Sequence, residues 1–459
     1  MSQIITSVLV FIWTIIATRY LGVGNYGILA TALSYTSFLS VFMDLGLSTY
    51  TTREVSRNPE LSTKFLANIL PIKILLSIIS SIILIIIIIL LGYDLLNIKT
   101  IAILSVYTAI NTFIFLYNSI IQANQKMKFT SIAYIITGLV NLLALLIVVY
   151  FDAGLLFTAS IYVLGVIISL IYLITISYKN FASFKLELDW KFWKKIIPSS
   201  IPLGIIMILS SVYYSTDTIM LSLFDGNIAV GLYSAAFRVI TIFITLYWVY
   251  QEVLFPVMSN FYSSSKDLLK IIYEKSIKYL LFLVLPIAVI ITCYSQDIIE
   301  LFYGSGFQAA SPILLILIWT MVLLIINELT TSFLNATDLE ISALTRNLIT
   351  AIGNVILNLI FIPLWTYIGA GIATLITQIL LLIMAIYIVI KNLFKPSKEL
   401  IISLFKVITL NTILLIIILI LKIELSYAII LFTILYIIGT YLFKIFDKQD
   451  KKILDKLKE

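Results

Sequence analysis

The sequence contains no histidine and a single cysteine, Cys293, among its 459 residues. The lack of histidine excludes Ser-His-Asp and Cys-His catalytic groups and every metal site that uses imidazole. One cysteine excludes an internal disulfide and a CxxC redox motif. We therefore expect no catalytic residue, no metal and no cofactor, and we interpret Cys293 as a packing residue of a helix.

Charge is also scarce, because only 12% of the residues are charged whereas 61% are hydrophobic. The mean hydropathy is +1.13. A single water-soluble core cannot bury this much apolar surface. The uncharged run 78–91 extends an already apolar helix beyond the length that crosses the hydrocarbon layer. The composition predicts an all-α polytopic membrane protein.

Apolar runs of about 20 residues predict about fourteen transmembrane helices. Their expected ranges are 2–18, 27–50, 65–91, 98–121, 130–151, 154–176, 196–221, 229–258, 270–294, 308–335, 343–362, 367–390, 399–421 and 425–443.

The distribution of lysine and arginine predicts the orientation of these helices. Of the 30 such residues, 24 fall in alternate loops or in the C-terminal tail, and only three fall in the other loops. Arg346 is counted among the 24. Because cytoplasmic loops carry the positive charge, both termini are expected to be cytoplasmic. The net charge of +7 is thus a topology signal, and we predict no nucleic-acid partner.

The longest hydrophilic segment, 177–195, is the expected linker between two six-helix lobes. Because the other loops are short, there is no extramembrane domain large enough for catalysis. The predicted organisation is an N-lobe at 1–176, the cytoplasmic linker at 177–195, a C-lobe at 196–390, two further helices at 391–443 and a basic cytoplasmic tail at 444–459.

Two internal similarities indicate that the lobes are a parallel repeat. The hexapeptide G-I-L-A-T-A at 27–32 parallels G-L-Y-S-A-A at 231–236, an offset of 204 residues. The segment 122–141 begins Q-A-N and ends in Asn, and 335–354 begins N-A-T and ends in Asn, an offset of 213 residues. Repeats of this kind are a feature of many transporters.

Several motifs then lie in order along the chain. They are T-R-Y-L-G at 18–22 with N-Y-G at 25–27, D-L-G-L at 44–47 leading to T-R-E at 52–54, the helix–loop–helix stretch 217–238, and I-P at 362–363 with G-A-G-I-A at 369–373. Together these motifs resemble the polysaccharide-biosynthesis (oligosaccharide flippase) family of the multidrug/oligosaccharidyl-lipid/polysaccharide exporter superfamily. The resemblance covers essentially the whole chain.

The resemblance implies two six-helix lobes forming a V around a central cavity. It also implies alternating access that moves lipid-linked oligosaccharides, carried on polyprenyl phosphate or pyrophosphate, to the outer leaflet. By analogy with the lipid-II flippase, the last two helices (about 399–443) are expected to form a groove for the lipid tail. The family usually carries a cytoplasmic leader before its first helix, whereas this sequence begins almost within that helix.

Charges inside apolar spans are the best candidates for function, because each costs at least about 2.5–3.5 kcal/mol on the insertion scale. Arg238 and Asp217 lie at similar depths. Two interpretations stay open: a structural ion pair, or a cationic wall of the cavity that binds a substrate phosphate. Arg19 is an interfacial anchor or, by the resemblance, a cavity residue, and Arg53 is a topology signal or a phosphate ligand. Guanidinium suits phosphate because it offers forked donors and keeps its charge. Arg19, Arg53 and Arg238 are therefore the candidate head-group residues.

Four acids are candidates for lining the cavity, for gating or for coupling to Na⁺ or H⁺. They are Asp44, Asp217, Glu252 and Glu328. Glu252 follows Arg238 by 14 residues, on nearly the same helix face and about 21 Å along the axis. Lys73, in contrast, is expected to snorkel to the cytoplasmic face and to be structural.

The expected partners are the lipid-linked oligosaccharide, membrane lipids and a coupling cation. The basic tail is expected to be attracted to anionic lipid. Three alternatives stay open: a cation-coupled multidrug exporter of the same superfamily, a membrane glycosyltransferase or polymerase, and a scaffolding membrane protein. The exporter would favour an acid-lined cavity, the transferase would need a large outward loop or an acidic catalytic motif, and a scaffold would have little reason to keep charges at depth.

Overall fold

The computed structural model describes residues 2–183, 185, 187–446 and 450, and this part of the chain contains no β-strand. Among the described residues, twelve helical segments are long and apolar enough to cross a membrane. The predicted all-α class is therefore confirmed. The α-helices are α1 (Ser2–Asp44), α2 (Leu47–Arg57), α3 (Ser62–Leu90), α4 (Leu95–Ala123), α5 (Lys128–Tyr150), α6 (Gly154–Asn180), α7 (Trp190–Phe224), α8 (Gly226–Ser264), α9 (Lys266–Cys293), α10 (Ser295–Tyr303), α11 (Ser311–Asn335), α12 (Glu340–Asn392), α13 (Lys398–Leu421) and α14 (Leu425–Leu442), with 3-10 helices at Pro59–Leu61 and Ser305–Ala310.

Two of the long helices, α1 and α12, contain a sharp break. In α1 the break is at Gly22, whose φ of 69° and ψ of 175° a glycine adopts at little cost. In α12 it is at Trp365 and Thr366, just after Pro363, which lacks the N–H that a helix requires. Each break lies where the sequence separates two spans, so each of these helices contains two of the predicted spans. The number of membrane crossings and the side of the termini stay predictions.

The second predicted span, 27–50, does not continue to its expected end. Helix α1 stops at Asp44, and Leu45 and Gly46 have φ values of 47° and 77°, which a helix cannot accommodate. A Cβ on Gly46 would lie 2.6 Å from the backbone nitrogen of Gly204 in α7. The break thus allows close packing on α7, and α2 begins as a separate amphipathic helix.

The helices form two compact units. Unit 1 comprises Met1–Arg238 and Val355–Ala370. Within it α1 packs against α3, α4, α5 and α7, and α4 packs against α6. The linker is attached to α3, because the backbone N–H of Asp189 donates to the Asn68 side chain over 2.9 Å. A hydrogen bond from the backbone N–H of Phe192, at the start of α7, lowers the pKa of Asp189, and nearby Lys64 lowers it further.

Unit 2 comprises Val239–Asn354 and Gly371–Glu459. Its centre is α9, which packs against α11, α13 and α14. The short helix α10 and the 3-10 helix after it pack together ahead of α11, in what the sequence predicts to be a plain loop. The predicted lobe boundaries at 1–176 and 196–390 stay predictions.

Candidate functional site

A buried ion pair joins α1 to α3 in unit 1. The ammonium of Lys73 is 0% exposed and bonds to Asp44, whose side chain is 2% exposed. It also donates to the Ser48 hydroxyl over 3.0 Å and to the Thr112 carbonyl over 2.8 Å. The Ser48 hydroxyl in turn donates to Asp44 over 2.5 Å. These contacts link α1, α2, α3 and α4 through one charged centre.

The expectation that Lys73 snorkels to the cytoplasmic face is therefore wrong. Snorkelling needs an open path from the helix to water, and here α1 and α4 cover the side chain. Asp44, one of the four candidate acids, has its counter-ion on α3. Because the pair is fully desolvated, each charge depends on the other.

Asp217, on α7, lies in a second polar cluster of unit 1. Its carboxylate accepts a hydrogen bond from the Tyr233 hydroxyl on α8 over 2.6 Å. It accepts another from the side-chain amide of Asn358 on α12 over 2.7 Å. Asp217 is 7% exposed and Asn358 is 0% exposed. The carboxylate thus links α7, α8 and α12.

Arg238 lies on α8 beside two tyrosine hydroxyls. The Tyr26 hydroxyl is within hydrogen-bonding reach of the guanidinium, and Tyr162 on α6 lies within its electrostatic range. Arg238 itself is partly exposed. Phenol groups orient a guanidinium without neutralising its charge, so Arg238 keeps a cationic face.

The three candidate arginines do not all lie in one cluster. The part of α1 after the Gly22 break, 23–44, is called the helical arm here. Tyr26, beside Arg238, and Asp44 are 18 residues apart in this arm, which corresponds to about 27 Å along the helix axis. Arg53 is beyond Asp44, is exposed, and bonds to Glu54 over 3.0 Å. Arg19 is exposed and precedes the Gly22 break by three residues. Arg19 and Arg238 thus flank the break end of this arm, and Arg53 follows its other end.

The two remaining acids lie in unit 2. Glu252 is exposed on α8. Glu328, on α11, lies within electrostatic range of Arg346 and of Tyr247. Glu328 therefore faces a cation, which reduces its own capacity to attract another one.

Arg346 was assigned to an inward loop from the sequence, and this assignment is wrong. It lies within α12 and is 0% exposed. Its Nη2 donates to the Asn327 carbonyl over 3.3 Å and also bonds to the Thr331 hydroxyl. Its Nε and Nη1 have no hydrogen-bond partner among the residues that the structure describes. Position 346 also lies within the expected span 343–362, so counting Arg346 as a loop residue was inconsistent with that span.

A large apolar cavity lies within unit 2, bordered by α9, α11, α12 and α13. Its volume is about 550 Å³. Its walls are mainly aliphatic, with Glu274, Thr330, Asn411 and Thr412 among the few polar residues that line it. The sequence analysis expected a groove formed by the last two helices. Of these, α13 lines the cavity, whereas α14 contributes none of its lining residues.

The similar hexapeptides at 27–32 and 231–236 contact each other in unit 1. A Cβ added to Gly27 would lie 1.7 Å from the carbonyl oxygen of Asn227, four residues before Gly231. A Cβ added to Gly231 would lie 2.3 Å from the carbonyl oxygen of Val23, four residues before Gly27. The contacts are reciprocal, as in an isologous interface. The sequence similarity therefore marks a close approach of α1 and α8.

No group of three or more Asp, Glu, Cys or His side chains that could hold a metal ion occurs in the described part of the chain. In unit 1 the Asp44 carboxylate is bonded by an ammonium and a hydroxyl group, and the Asp217 carboxylate by a hydroxyl and an amide group.

The fold of this chain matches that of solved structures. The fold matches a structure titled lipid II flippase MurJ in its inward closed conformation, with a TM-score of 0.82 and 19% identity, over 96% of this chain and 97% of that chain. It also matches an inward-facing multidrug resistance MATE family transporter of the MOP superfamily, with a TM-score of 0.66 and 15% identity, over 83% of this chain and 94% of that chain. These likenesses establish a shared fold.

Curated relatives come from Haloferax volcanii. A "probable flippase AglR" is 29% identical over 178 residues, or 38% of this chain. A "probable low-salt glycan biosynthesis flippase Agl15" is 27% identical over 173 residues. The chain spans 37% of the length of each of these relatives.

Two family models match the sequence. The MatE model matches residues 202–360. The polysaccharide biosynthesis protein model matches residues 1–262, which is more than half of the chain. The chain is a multi-pass membrane protein, and it belongs to the polysaccharide biosynthesis protein family.

Proposed function

We propose that this protein is a flippase that moves lipid-linked oligosaccharides across the cytoplasmic membrane by alternating access. The substrate would be a glycan on a polyprenyl phosphate or pyrophosphate, used for cell-surface polysaccharide synthesis. The family assignment and the two relatives named as flippases support the proposal. They also favour a transporter over the glycosyltransferase and scaffold alternatives.

The observation that carries this proposal is the apolar cavity of unit 2. A volume of about 550 Å³ is within the usual range of small-molecule sites, and its walls match an isoprenoid chain better than a sugar or an ion. Transfer of an apolar chain between bilayer and cavity costs little, because both environments are hydrocarbon-like. We assign this cavity to the lipid tail.

The phosphate head group would bind to arginine in unit 1. Arg238 is the best candidate, because its guanidinium is oriented by tyrosines and remains cationic. Arg19 lies towards the same end of the helical arm, at the Gly22 break. Arg53, beyond the opposite end, would contact the head group at a different stage of transport.

The coupling ion would act through an acid, because the protein has no histidine to carry a proton at neutral pH. Asp217 is the strongest candidate in unit 1, because its carboxylate is buried between α7, α8 and α12. Its oxygen atoms and the amide of Asn358 are ligands of the type that hard cations prefer. Asp44 is a weaker candidate, since Lys73 already supplies its positive charge.

A multidrug exporter is the second candidate, because the MatE model matches residues 202–360. Such a protein would bind cationic substrates at an acid of its cavity. Two candidate acids of unit 2 lie in that matched range: Glu252, which is exposed, and Glu328, which is beside Arg346, whose charge opposes a cationic ligand. The two relatives named as flippases make the flippase the better proposal.

A flipping assay tests the proposal. The protein is reconstituted in phosphatidylcholine vesicles with a fluorescent polyprenyl-phosphate glycan, and the fraction accessible to an external quencher is followed with time. We expect Arg238→Gln to slow flipping by about tenfold or more, since a charge-assisted hydrogen bond contributes about 1.5–3 kcal/mol. Arg57→Gln is the matched control, because the Arg57 side chain is 69% exposed.

Two further arms of this assay separate the alternatives. Replacing Na⁺ by choline slows flipping in the wild type if Na⁺ is the coupling ion, and Asp217→Asn removes that difference. Two results together would favour the multidrug exporter. The accessible fraction of the fluorescent glycan would rise no faster than in protein-free vesicles, and the protein would take up a cationic dye in a way that Glu328→Gln abolishes.

A further inference from the structure

Two buried donor groups in unit 2 have no hydrogen-bond partner within the part of the chain that the structure describes. They are the Nε and Nη1 of Arg346 and the hydroxyl of Tyr247. Arg346 is 0% exposed and Tyr247 is 2% exposed. A buried donor without an acceptor has lost its hydration with no bond to replace it, and this loss is largest for a charged group. An acceptor that reaches both groups would restore those bonds.

Glu328 is the acid beside both donor groups. It lies within electrostatic range of Arg346 and of Tyr247. The guanidinium already contacts the same turn of α11, because its Nη2 donates to the Asn327 carbonyl over 3.3 Å and bonds to the Thr331 hydroxyl. The Glu328 carboxyl nevertheless forms no hydrogen bond and no ion pair with any described residue. An acid and two unpaired donor groups are thus close together but separate.

This separation is informative about the charge of Glu328. An ionised carboxylate gains from contact with a guanidinium, because charge-assisted hydrogen bonds are strong and are strengthened further by a low dielectric. A neutral carboxyl has no such gain, and it can remain apart from the arginine. The Glu328 side chain is partly exposed, whereas Arg346 is not, so the acid is the member of the pair that a proton can reach.

We propose that Glu328, Tyr247 and Arg346 form a proton switch, in which Glu328 is protonated in this conformation and binds to the other two side chains after it loses the proton. The O–H bond of the carboxyl breaks and the proton passes to water. The carboxylate then accepts hydrogen bonds from the guanidinium and from the phenol. The inference rests on the proposed function only where it assigns this proton to the transport of the glycan.

The switch joins three helices and therefore has two discrete arrangements. Tyr247 is on α8, Glu328 on α11 and Arg346 on α12. In the open arrangement, seen here, the acid and the two donor groups are apart, and in the closed arrangement the carboxylate links all three helices. Because protonation favours one arrangement over the other, the proton shifts the population between them.

The neighbouring titratable groups leave Glu328 as the acid of the switch. On α9, Tyr273 lies within electrostatic range of Arg346, but its hydroxyl shares a hydrogen bond of 3.0 Å with that of Thr330. On α8, Tyr250 lies near Tyr247 and donates to the Ser276 hydroxyl over 2.9 Å. Both of these phenols already have partners, and neither carries a charge at neutral pH.

The arginine also favours a proton over a metal ion at Glu328. A metal cation at the carboxylate would be repelled by the guanidinium. A proton forms a covalent bond with the carboxyl and leaves a neutral group beside Arg346. The sequence has no histidine, so a carboxyl has to take this role. The switch lies in unit 2 and does not include Asp217.

The first measurement follows the carboxyl itself and needs no glycan. Infrared difference spectra of the full-length protein in phosphatidylcholine nanodiscs are recorded over a range of pH. We expect a band of a protonated carboxyl that disappears as the pH is raised. The band should be missing from Glu328→Gln and kept in Glu340→Gln, which removes an exposed acid at the start of α12.

A tyrosine pair tests whether the donors stabilise the carboxylate. Tyr247→Phe removes one donor from the closed arrangement, so its band should disappear about one pH unit higher than that of the wild type, since a hydrogen bond to a charged group changes the proton affinity about tenfold. Tyr250→Phe is the matched control and should follow the wild type. A merely structural role of Tyr247 would leave the pH dependence of the band unchanged.

The second measurement tests whether transport uses the proton. The vesicles of the flipping assay carry a gradient of about one pH unit, and valinomycin with K⁺ clamps the membrane potential. If one proton is exchanged for each glycan, the distribution of the fluorescent glycan between the leaflets is displaced about tenfold. We expect Glu328→Gln to abolish this displacement and Glu340→Gln to keep it.

The two measurements distinguish failure of the switch from failure of the proposed function. A Glu328 band in a protein that does not flip the glycan would contradict the flippase and support the switch. Flipping that the gradient does not displace would overturn the assignment of the proton to transport. Spectra that are identical in the wild type and Glu328→Gln at every pH would overturn the switch itself.

Discussion

Replacing Gly27 by alanine is expected to slow transport about five- to 150-fold. The added Cβ would lie 1.7 Å from the carbonyl oxygen of Asn227, so α1 and α8 must separate before the side chain fits. Overpacking of this kind costs about 1–3 kcal/mol, which corresponds to that range of population change. Gly231→Ala should act in the same direction, because its Cβ would meet the Val23 carbonyl. The flipping rate in vesicles measures both effects.

The control for this prediction lies three residues away. Gly24 is in the same arm of α1, and a Cβ there would meet no atom within 4 Å. Gly24→Ala is therefore expected to transport at the wild-type rate. Equal rates for Gly24→Ala and Gly27→Ala, with the folded protein recovered in equal amounts, would show that the close approach of α1 and α8 has no part in transport.

Replacing Lys73 by methionine is expected to destabilise the folded protein by about 3–5 kcal/mol. The substitution leaves the Asp44 carboxylate buried without its counter-ion. It also leaves the Thr112 carbonyl without a donor that it now has. Unfolding in detergent, followed by the loss of helical circular dichroism on heating, measures the decrease.

A double variant and a surface control define the cause. Asp44→Leu combined with Lys73→Met replaces the pair by apolar groups and should recover most of the stability, because neither charge is then left alone. Lys64→Met removes an exposed lysine from the same helix, one that lies 3.5 Å from Asp189, and should leave Tm unchanged. A double variant no more stable than Lys73→Met would indicate that the ion pair itself is not the source of the stability.

The sequence predicted the helices well because the bilayer requires long apolar runs, and such runs can be recognised from consecutive residues alone. It also identified Asp44 and Asp217 as charges inside those runs. Their partners were not predictable. Lys73 is 29 residues from Asp44 and Asn358 is 141 residues from Asp217, so these contacts depend on how the helices pack.

Other features were hidden because apolar residues are spread over both faces of most helices. In a soluble helix the apolar stripe marks the buried face, but in a membrane both the lipid-facing and protein-facing sides are apolar. The cavity between α9, α11, α12 and α13 therefore leaves no signal in the sequence. The reciprocal contact of Gly27 and Gly231 did leave one, since both glycines lie in the similar hexapeptides, although similarity alone did not reveal that they touch.

Native mass spectrometry of the gently purified protein tests the central claim most directly. We predict that the wild type carries a polyprenyl-phosphate or pyrophosphate glycan, and that this mass is lost from Arg238→Ala and reduced in Arg19→Ala. Both variants should keep their bulk phospholipid. Phospholipid alone, bound equally by all three proteins, would contradict the assignment of a lipid-linked glycan held by arginine.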